Sequence, residues 1–374
     1  MRDTTLILLA AGNSTRFGLP TKKQWLYIED KPLWLFVAKQ FEQFDFADII
    51  IVANELELNL MQDFANYRYI KGGKNSRGES VLNALNVVTS KFSLITDVAR
   101  CCIDKEVILK LFEKKEENSC VVPALKVTDT TYFDNKPIDR EKLLRVQTPQ
   151  LSCTKTLKDI LSKEQNYTDE SSAFYNNGKK VTFINGSSKA TKLTYKEDLQ
   201  NLICLKPPDD TYRVGTGIDI HAFEEGKAMV LCGVNIDSPI GFKAHSDGDV
   251  AIHAIIDALL GAANLGDIGE FFPDTDEQYK NIDSKKLLRD VITLVRNIGY
   301  EIVNIDISIV AQKPKISPYK LQMKQKLSEI MEIKQNKVNI KATTGEKLGF
   351  VGRAEGVVVQ AIATLNYYKW ESVK

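Results

Sequence analysis

The sequence holds only three histidines, His221, His245 and His253, and all of them fall between Gly217 and Asp274. Neutral imidazole is the commonest biological metal ligand. Asp219 stands two residues before His221, and on a strand residues i and i+2 point to the same face, so carboxylate and ring converge. The apolar run after Ser246 repeats with a helical period, which sets His253 and Asp257 four apart on one helix face. One carboxylate and two imidazoles with a fourth position open is the pattern of a catalytic zinc site rather than a closed structural one. A lone histidine in an apolar helix is ordinarily a packed core residue. Clustering of every histidine with Asp219, Asp247, Asp249, Asp257 and Asp267 favours a metal or phosphate site instead. By clustering alone, His245 is as good a candidate ligand as the other two.

A second set of reactive residues lies near the start of the chain. An apolar run over residues 5–11 ends in Gly12-Asn-Ser-Thr-Arg16-Phe-Gly18, with Lys22-Lys23-Gln24 just beyond. This is neither a Walker loop nor a G-x-G-x-x-G fingerprint. Gly12 and Gly18 let backbone N–H groups approach a triphosphate, and Arg16 and Lys23 can neutralise its charge. A second Gly-rich, basic loop, Gly72-Gly73-Lys74-Asn75-Ser76-Arg77, precedes a helix that carries Ser80 near its N-terminus, which suits an anionic ligand. Asp97 and Arg100 close another apolar run and would stand at the carboxyl rim of a parallel sheet, beside the first loop.

These residues need elements to position them. Strands read at 5–11, Asp48–Ala53, Phe92–Thr96 and Cys120–Pro123, alternating with helices, which predicts an α/β, Rossmann-like first domain with a doubly wound, mostly parallel sheet. Leu205-Lys-Pro207-Pro208-Asp-Asp is a short Pro-Pro break, placing one domain over 1–207 and another over 208–374. In the second half Tyr212–Ile220 and Ala228–Ile236 read as strands. Ile302–Val310 alternates Ile305, Ile307 and Ile309 against Asn304, Asp306 and Ser308, and a last strand spans Val357–Leu365. Amphipathic helices at Asp283–Ile298 and Pro318–Ile330 make this an α+β domain with helices on one face of a sheet.

The 374 residues suffice for two or three cores. A formal net charge of +1 leaves no broad basic surface for nucleic acid or membrane. No apolar run approaches the roughly 18 residues of a membrane span. The N-terminal run passes straight into a polar loop, so a buried strand is expected there rather than a leader peptide. The six cysteines, Cys101, Cys102, Cys120, Cys153, Cys204 and Cys232, form no C-x-x-C pair, and reduced thiols in a cytoplasmic protein are expected.

Residues 1 to about 205 resemble the 2-C-methyl-D-erythritol 4-phosphate cytidylyltransferases. The resemblance rests on Ala10-Ala-Gly-x-x-x-Arg16-x-Gly18 with Lys23-Gln24, Gly72–Leu85 and Asp97-x-Ala99-Arg100. Further support comes from Arg140 to Thr148-Pro149-Gln150, Tyr167-Thr-Asp-Glu170 and Lys192-Leu-Thr-x-x-Glu197-Asp198. It implies that Arg16 and Lys23 hold the phosphates of CTP, with Lys192 joining them around the reacting phosphorus, and that Mg²⁺ assists. Gly12, Gly18, Gly73 and Ser80 would line the nucleotide. Asp97, Arg100, Thr130 and Arg140 would contact the methylerythritol phosphate, and an arm around Thr130–Arg140 would cross to a second subunit. The chain departs from the family pattern at Lys22, where proline is usual, and at Thr96 and Cys101, where His and Pro are usual.

Residues 212 to 370 resemble the 2-C-methyl-D-erythritol 2,4-cyclodiphosphate synthases, most specifically through Gly217–Asp276. By that resemblance Asp219, His221 and His253 bind a divalent metal, usually zinc, while His245 contacts substrate phosphate and Asp267 holds the ribose. Ala311, Lys313, Lys315, Ile316, Thr343 and Thr344 would form the cytosine and diphosphate pocket, with Phe350 and Arg353 also in the substrate set. Glu346 would hold a second ion, Mg²⁺ or Mn²⁺. Gly345 stands where a third threonine is common. The family is trimeric, and a trimeric half joined to a dimeric half closes first as a hexamer.

The implied protein is a bifunctional enzyme of the non-mevalonate isoprenoid route, a nucleotidyltransferase and a phosphorus–oxygen lyase acting on small-molecule substrates. A kinase must act between its two steps, and nothing here resembles one, so that kinase is either a docking partner or separate. The competing reading is a general sugar-phosphate nucleotidyltransferase fused to a metal-dependent phosphohydrolase. A scaffold with decayed sites would lack ligands that this sequence retains.

Overall fold

The structure, a computed structural model, describes residues 1–244, 247–273, 275–276, 279 and 282–373. The chain divides into two compact units, Met1–Pro207 with the C-terminal segment from Lys369, and Pro208–Tyr368. The C-terminal segment, assigned to the second domain on sequence, groups with the first because the Trp370 side chain is fully buried there. Its indole N–H donates to the Tyr27 carbonyl at 2.8 Å.

The first unit is built on strands β1 (Thr4–Leu9), β4 (Asp48–Ala53), β5 (Arg68–Lys71), β6 (Phe92–Asp97), β7 (Ser119–Lys126), β10 (Leu144–Val146), β11 (Gln150–Cys153) and β12 (Lys180–Asn185). Two small hairpins, β2 (Tyr27–Ile28) with β3 (Lys31–Pro32) and β8 (Thr131–Phe133) with β9 (Lys136–Ile138), stand apart from this sheet. The strand order is β10-β7-β11-β6-β1-β4-β5, with β12 also on β7. Strands β6, β1, β4 and β5 run parallel, as expected for apolar runs buried on both faces. The sheet is mixed: β7 and β12 run the same way as these four strands, while β11 runs antiparallel to both β6 and β7 and β10 antiparallel to β7. The short run after Thr148-Pro149 returns beside β6 without a crossover helix, a connection that strand patterning does not reveal. One face packs Ile7, Ile50, Val52 and Ile95 against Val81, Leu85, Leu157 and Phe174 of the covering helices.

The expectation of six reduced thiols also fails in one place. Cys102 and Cys204 form a disulfide across a sequence separation of 102. No local spacing motif can announce a pair that only the fold brings together.

The second unit carries the order β16-β13-β19-β17-β18, made of β13 (Tyr212–Glu225), β16 (Ile240–Phe242), β17 (Tyr300–Val310), β18 (Val338–Thr343) and β19 (Gly356–Tyr367). Residues 228–236, read as one strand, fold instead into a hairpin of β14 (Met229–Leu231) and β15 (Val234–Ile236). Cys232 and Gly233 turn the chain at φ 54° and 75°, left-handed values that break any continuous strand. The Val250–Ala263 helix lies on β13 and β19. Its N-terminus is fixed by Asp249, a fully buried carboxylate that accepts from the N–H groups of Cys232, Gly233 and Ile252.

Glycine sets the distance between that helix and β13. A Cβ at Gly217 would stand 2.1 Å from the Ala254 carbonyl oxygen, and one at Gly215 would stand 2.2 Å from that of Ala258. Both face the helix because β13 alternates, which sends Tyr212, Val214, Ile218 and Ile220 to the opposite face, more than half exposed. Further along the helix-facing row come Asp219 and His221. Gly217→Ala should therefore push the helix off the strand and destabilise the second unit by about 1–3 kcal/mol. Calorimetry of the full chain should show an earlier transition for that unit; an unchanged scan would contradict the tight contact.

Candidate functional sites

In the first unit, parallel pairing places Leu9 beside Asp97, so the loop after β1 and the end of β6 share one edge of the sheet. The loop is braced from behind by Glu57, which is almost wholly buried. The Glu57 carboxylate accepts from the Trp25 indole N–H at 2.9 Å and the Gln24 amide at 3.0 Å, and it pairs with the Lys22 ammonium. Gln24 also donates to the Gly12 carbonyl, and the Lys23 N–H donates to Ser14 Oγ. Gly18, at φ 73°, turns the loop back and does not line the cleft. The second glycine loop closes onto the first: a Cβ on Gly72 would lie 2.6 Å from the Ala11 Cβ. Ser80 accepts from the Gly73 N–H at 2.9 Å.

Together these loops surround a cleft of about 440 Å³ lined by Gly12, Arg16, Lys23, Gly73, Ser80, Asp97 and Lys192. Its floor is a chain of charges. Asp97 accepts from Arg77 Nε at 3.1 Å and from Lys192 Nζ at 2.6 Å, and Arg77 also forks onto the buried Glu170. Burial opposes the charged form of Asp97, but Arg77 and Lys192 outweigh it and hold the carboxyl well below the usual carboxylate range. Burial, followed by the charges of Lys192 and Arg16, lowers the Lys23 ammonium.

Arg100 lies beside the cleft, donating to the carbonyls of Ala190 at 2.6 Å and Val146 at 3.3 Å. It lines an adjoining cavity of about 150 Å³ with Asp97, Thr168 and Lys192. Thr130 and Arg140 do not reach either space. They flank the exposed β8–β9 hairpin, where Arg140 donates to the Thr128 carbonyl. Sequence reading missed Glu57 and gave no site role to Arg77 or Glu170, although Arg77, the first residue of the helix Arg77–Leu85, ends the basic, glycine-rich loop and Glu170 ends the Tyr167-Thr-Asp-Glu170 run.

In the second unit Asp219, His221 and His253 converge, with their nearest ligand atoms all within 4.8 Å of one another. Asp219 Oδ2 lies 3.1 Å from His221 Nε2 and 3.2 Å from His253 Nδ1. The opposite nitrogen of His253 is 3.0 Å from Ser284 Oγ, and that hydroxyl donates to Asp247 Oδ1 at 2.5 Å. The chain of bonds makes Nε2 the protonated nitrogen of a neutral ring, leaving the Nδ1 lone pair for a cation. Without one, burial disfavours a charged His253, but the Asp219 contact and charge, with Asp249 and Asp247 behind, raise its pKa. The carboxyl of Asp219 is held low by the two rings against its burial. The donor set fits a divalent metal of zinc type.

The remaining candidates separate. Asp257 does not join the ligands; its carboxylate accepts from the Ile268 N–H at 2.8 Å. Asp267 caps the following short helix, accepting from Glu270 N–H. Ala311 and Ile316 are buried, while Lys313, Lys315, Thr343 and Thr344 are exposed. The Ala311 N–H donates to the Thr343 carbonyl at 3.0 Å, which ties two of these segments together. Glu346 accepts from the Thr344 hydroxyl. Phe350 is partly exposed, and Arg353 is engaged by Glu355 at 2.8 Å and 3.0 Å. His245 lies outside the described residues.

Family models match the two halves separately. That of 2-C-methyl-D-erythritol 4-phosphate cytidylyltransferase covers residues 4–203, and that of the YgbB family covers 212–366. The "Bifunctional enzyme IspD/IspF" of Sulfurovum sp. is 54% identical over 99% of this chain and 100% of its own. The chain belongs to the bifunctional IspD/IspF family. The Aliarcobacter butzleri relative of the same name is 52% identical over 99% of this chain and 100% of its own. The solved "Structure of the Bifunctional IspDF from Campylobacter jejuni" superposes with a TM-score of 0.93 at 44% identity, covering 98% of this chain and 99% of that one. The halves are thus an IspD cytidylyltransferase and an IspF cyclodiphosphate synthase of the methylerythritol phosphate isoprenoid pathway. These matches do not favour a general nucleotidyltransferase fused to a hydrolase.

Two measurements test the geometry. With Zn²⁺ as the probe of the candidate metal site, Ser284→Ala should weaken its binding about 10–100-fold in chelator competition while leaving the fold intact; unchanged affinity would remove Ser284 from the site. Because Lys23 is shifted down, its charge should be lost on the alkaline side earlier than the ordinary lysine value of about 10.4. The kcat/KM for CTP should fall there with rising pH, and Lys23→Arg, which stays charged, should move that limb upward. A limb that does not move would assign it to another group.

Proposed function

We propose that the first unit transfers CMP from CTP to 2-C-methyl-D-erythritol 4-phosphate with release of pyrophosphate. The observation carrying this reading is the cleft in which Arg16, Lys23 and Lys192 face two glycine loops over the Asp97 carboxylate. Attack of the substrate phosphate on the α-phosphorus builds negative charge on a five-coordinate phosphorus and on the departing pyrophosphate. Arg16 and Lys23 neutralise the CTP phosphates, while Lys192 exchanges its Asp97 contact for the reacting phosphoryl oxygens. The backbone N–H at Gly12 approaches the phosphates, Gly73 and Ser80 line the cleft beside it, and Mg²⁺ bound with CTP would supply further charge neutralisation. No covalent enzyme intermediate is needed.

The second unit cyclises 4-diphosphocytidyl-2-C-methyl-D-erythritol 2-phosphate to the 2,4-cyclodiphosphate and releases CMP. Asp219, His221 and His253 would hold zinc, with Glu346 holding Mg²⁺ or Mn²⁺ on the diphosphate, and these ions supply Lewis acidity to the phosphoryl oxygens. The 2-phosphate is already an anion, so no general base is required. His245 orients phosphate, Asp267 receives the ribose, and the loops around Lys313–Ile316 and Thr343–Thr344 receive cytosine and diphosphate. Holding both ends of one substrate is an entropic contribution that a folded-back geometry supplies.

The same surfaces suggest the assembly. The exposed β13 row of Tyr212, Val214, Ile218 and Ile220 supports trimers of the second unit. Exposed Tyr132 and Phe133 on the β8–β9 hairpin support an arm that carries Thr130 and Arg140 to a neighbour in a dimer of the first. A hexamer satisfies both, in the cytoplasm, with no helix among the described residues long and apolar enough to cross a membrane.

His253→Ala should lose bound zinc and the cyclic product yet still release pyrophosphate from CTP and methylerythritol phosphate. Retention of cyclase activity without metal would overturn the second assignment, and absence of pyrophosphate release from the unaltered chain would overturn the first.

A further inference from the structure

The disulfide found in the first unit lies next to the charged floor of the cleft. Cys102 follows Arg100 in the loop that leaves β6 after Asp97, and Cys204 follows the 3₁₀ turn Lys196–Asn201 that comes after Lys192. Non-covalent bonds already join these two segments. The Leu193 N–H donates to the Ala99 carbonyl at 2.8 Å, Arg100 donates to the Ala190 carbonyl at 2.6 Å, and Lys192 pairs with Asp97. The disulfide therefore closes covalently a ring that contains the Asp97–Lys192 pair.

A third sulfur completes the group: the Cys101 thiol and the bonded sulfurs of Cys102 and Cys204 all lie within 4.8 Å of one another. Cys101 is fully buried, and burial pushes its thiol up to about 12, so it is almost entirely protonated near neutral pH. Cys102 is also buried, whereas Cys204 is partly exposed. A disulfide in an enzyme of a reducing compartment is ordinarily transient or redox-sensing rather than a permanent brace.

We propose that Cys102 and Cys204 form an oxidisable dithiol that staples the Lys192 segment to the Asp97 loop and so tunes cytidylyl transfer. Peroxide enters at Cys204: its thiolate attacks one oxygen of hydrogen peroxide, giving a sulfenic acid and hydroxide, which takes up the proton the thiol lost on ionising and leaves as water. The Cys102 sulfur then displaces the hydroxyl of the sulfenic acid, which leaves as a second water while the Cys102 proton is lost to it. Two thiols lose two electrons in all, and one peroxide becomes two waters. A small thiol such as glutathione reverses the change by exchange, ending as its own disulfide. In the oxidised form Lys192 is held where Asp97 meets it. In the reduced form the segment from Ala190 to Cys204 keeps the buried Leu193, Leu199 and Leu202, its hydrogen bonds and the Lys192–Asp97 pair but loses the covalent closure, so a smaller fraction of molecules presents the assembled cleft, and the apparent affinity for CTP falls by that fraction.

This proposal rests on the first unit being the CTP site, and the test separates the two. The full chain is treated either with hydrogen peroxide or with reduced glutathione, and Cys204→Ser is carried alongside. Peptide mapping should find Cys102 linked to Cys204 after peroxide, and amide exchange across residues 188–205 should slow relative to the reduced protein. The KM for CTP should rise roughly threefold or more on reduction, with cyclase activity unchanged, and Cys204→Ser should remain at the reduced value under either treatment. Absence of the linked peptide, or equal exchange in the two forms, would overturn the staple whether or not CTP is turned over. A redox response that persists in Cys204→Ser would also overturn it, as would a reduced protein holding a second zinc ion per chain that this substitution removes. If the linked peptide and slowed exchange are found but neither form releases pyrophosphate, the staple stands and the cytidylyltransfer reading fails.

Discussion

Asp97 is the constraint on which the first site depends. Four cationic groups, Arg16, Lys23, Arg77 and Lys192, stand together around one cleft. Like charges at such separations repel by several kcal/mol in a partly desolvated cleft unless something opposes them. The carboxylate at the end of β6 opposes them by taking Arg77 on one oxygen and Lys192 on the other. Arg77 is held in turn by Glu170, so its position does not depend on whether a ligand is bound. Among the described residues Lys192 makes its carboxylate contact with Asp97 and with no second acid. In the proposed reaction it is the member of the network that would leave Asp97 for a phosphoryl oxygen, while Arg77 would stay to keep Asp97 ionised.

Asp219 holds the corresponding position in the second unit, with the arrangement of charges reversed. There one acid serves two rings, and its placement follows from the close approach of the Val250–Ala263 helix to β13. Gly215 and Gly217 permit that approach, Asp249 fixes where the helix begins, and the helix then presents His253 to the end of the glycine-bearing row. Ser284 and Asp247 set the tautomer. The metal-binding geometry is therefore a property of backbone distance first and of ligand type second. Asp219, His221 and His253 would hold a cation, which would take the place of the proton that the Asp219 contact favours on His253.

Much of this is visible in the residues alone, and what is not shares one physical origin. Strand alternation places Asp219 and His221 on one face without any knowledge of the fold, and helical period carries His253 onto the apolar run that must pack against that face. The apolar run before Gly12 reads as a buried strand because it is uninterrupted on both faces. Glu57, Arg77, Glu170 and Ser284 escape such reading because their partners lie 33, 20, 93 and 31 residues away, and periodicity carries no information across such intervals. The same applies to Cys102 and Cys204, and to β11, whose antiparallel place between β6 and β7 depends on a turn and not on composition. Asp257 misleads for the opposite reason: local spacing sets it beside His253, yet a neighbouring backbone N–H claims its carboxylate.

The departures from the family pattern are accommodated by the same local rules. Lys22 stands where proline is usual, and its backbone sits at φ −72° and ψ 145°, the conformation a proline ring would impose. The lysine keeps that geometry and adds an ion pair to Glu57, the carboxylate that already positions Gln24 and, through it, the Gly12 carbonyl. Conformational restraint by a ring is replaced by restraint through a side chain anchored in the core. Thr96, in place of histidine, is fully buried, and its hydroxyl lies 3.4 Å from that of Thr148, so a polar group remains partnered there. Gly345, in place of threonine, packs its backbone against Gly352, where an added Cβ would come within 2.8 Å of the amide nitrogen. Lys22 and Thr96 thus keep partnered side chains at their positions, whereas Gly345 fills a space that a threonine Cβ would enter only if Gly352 moved.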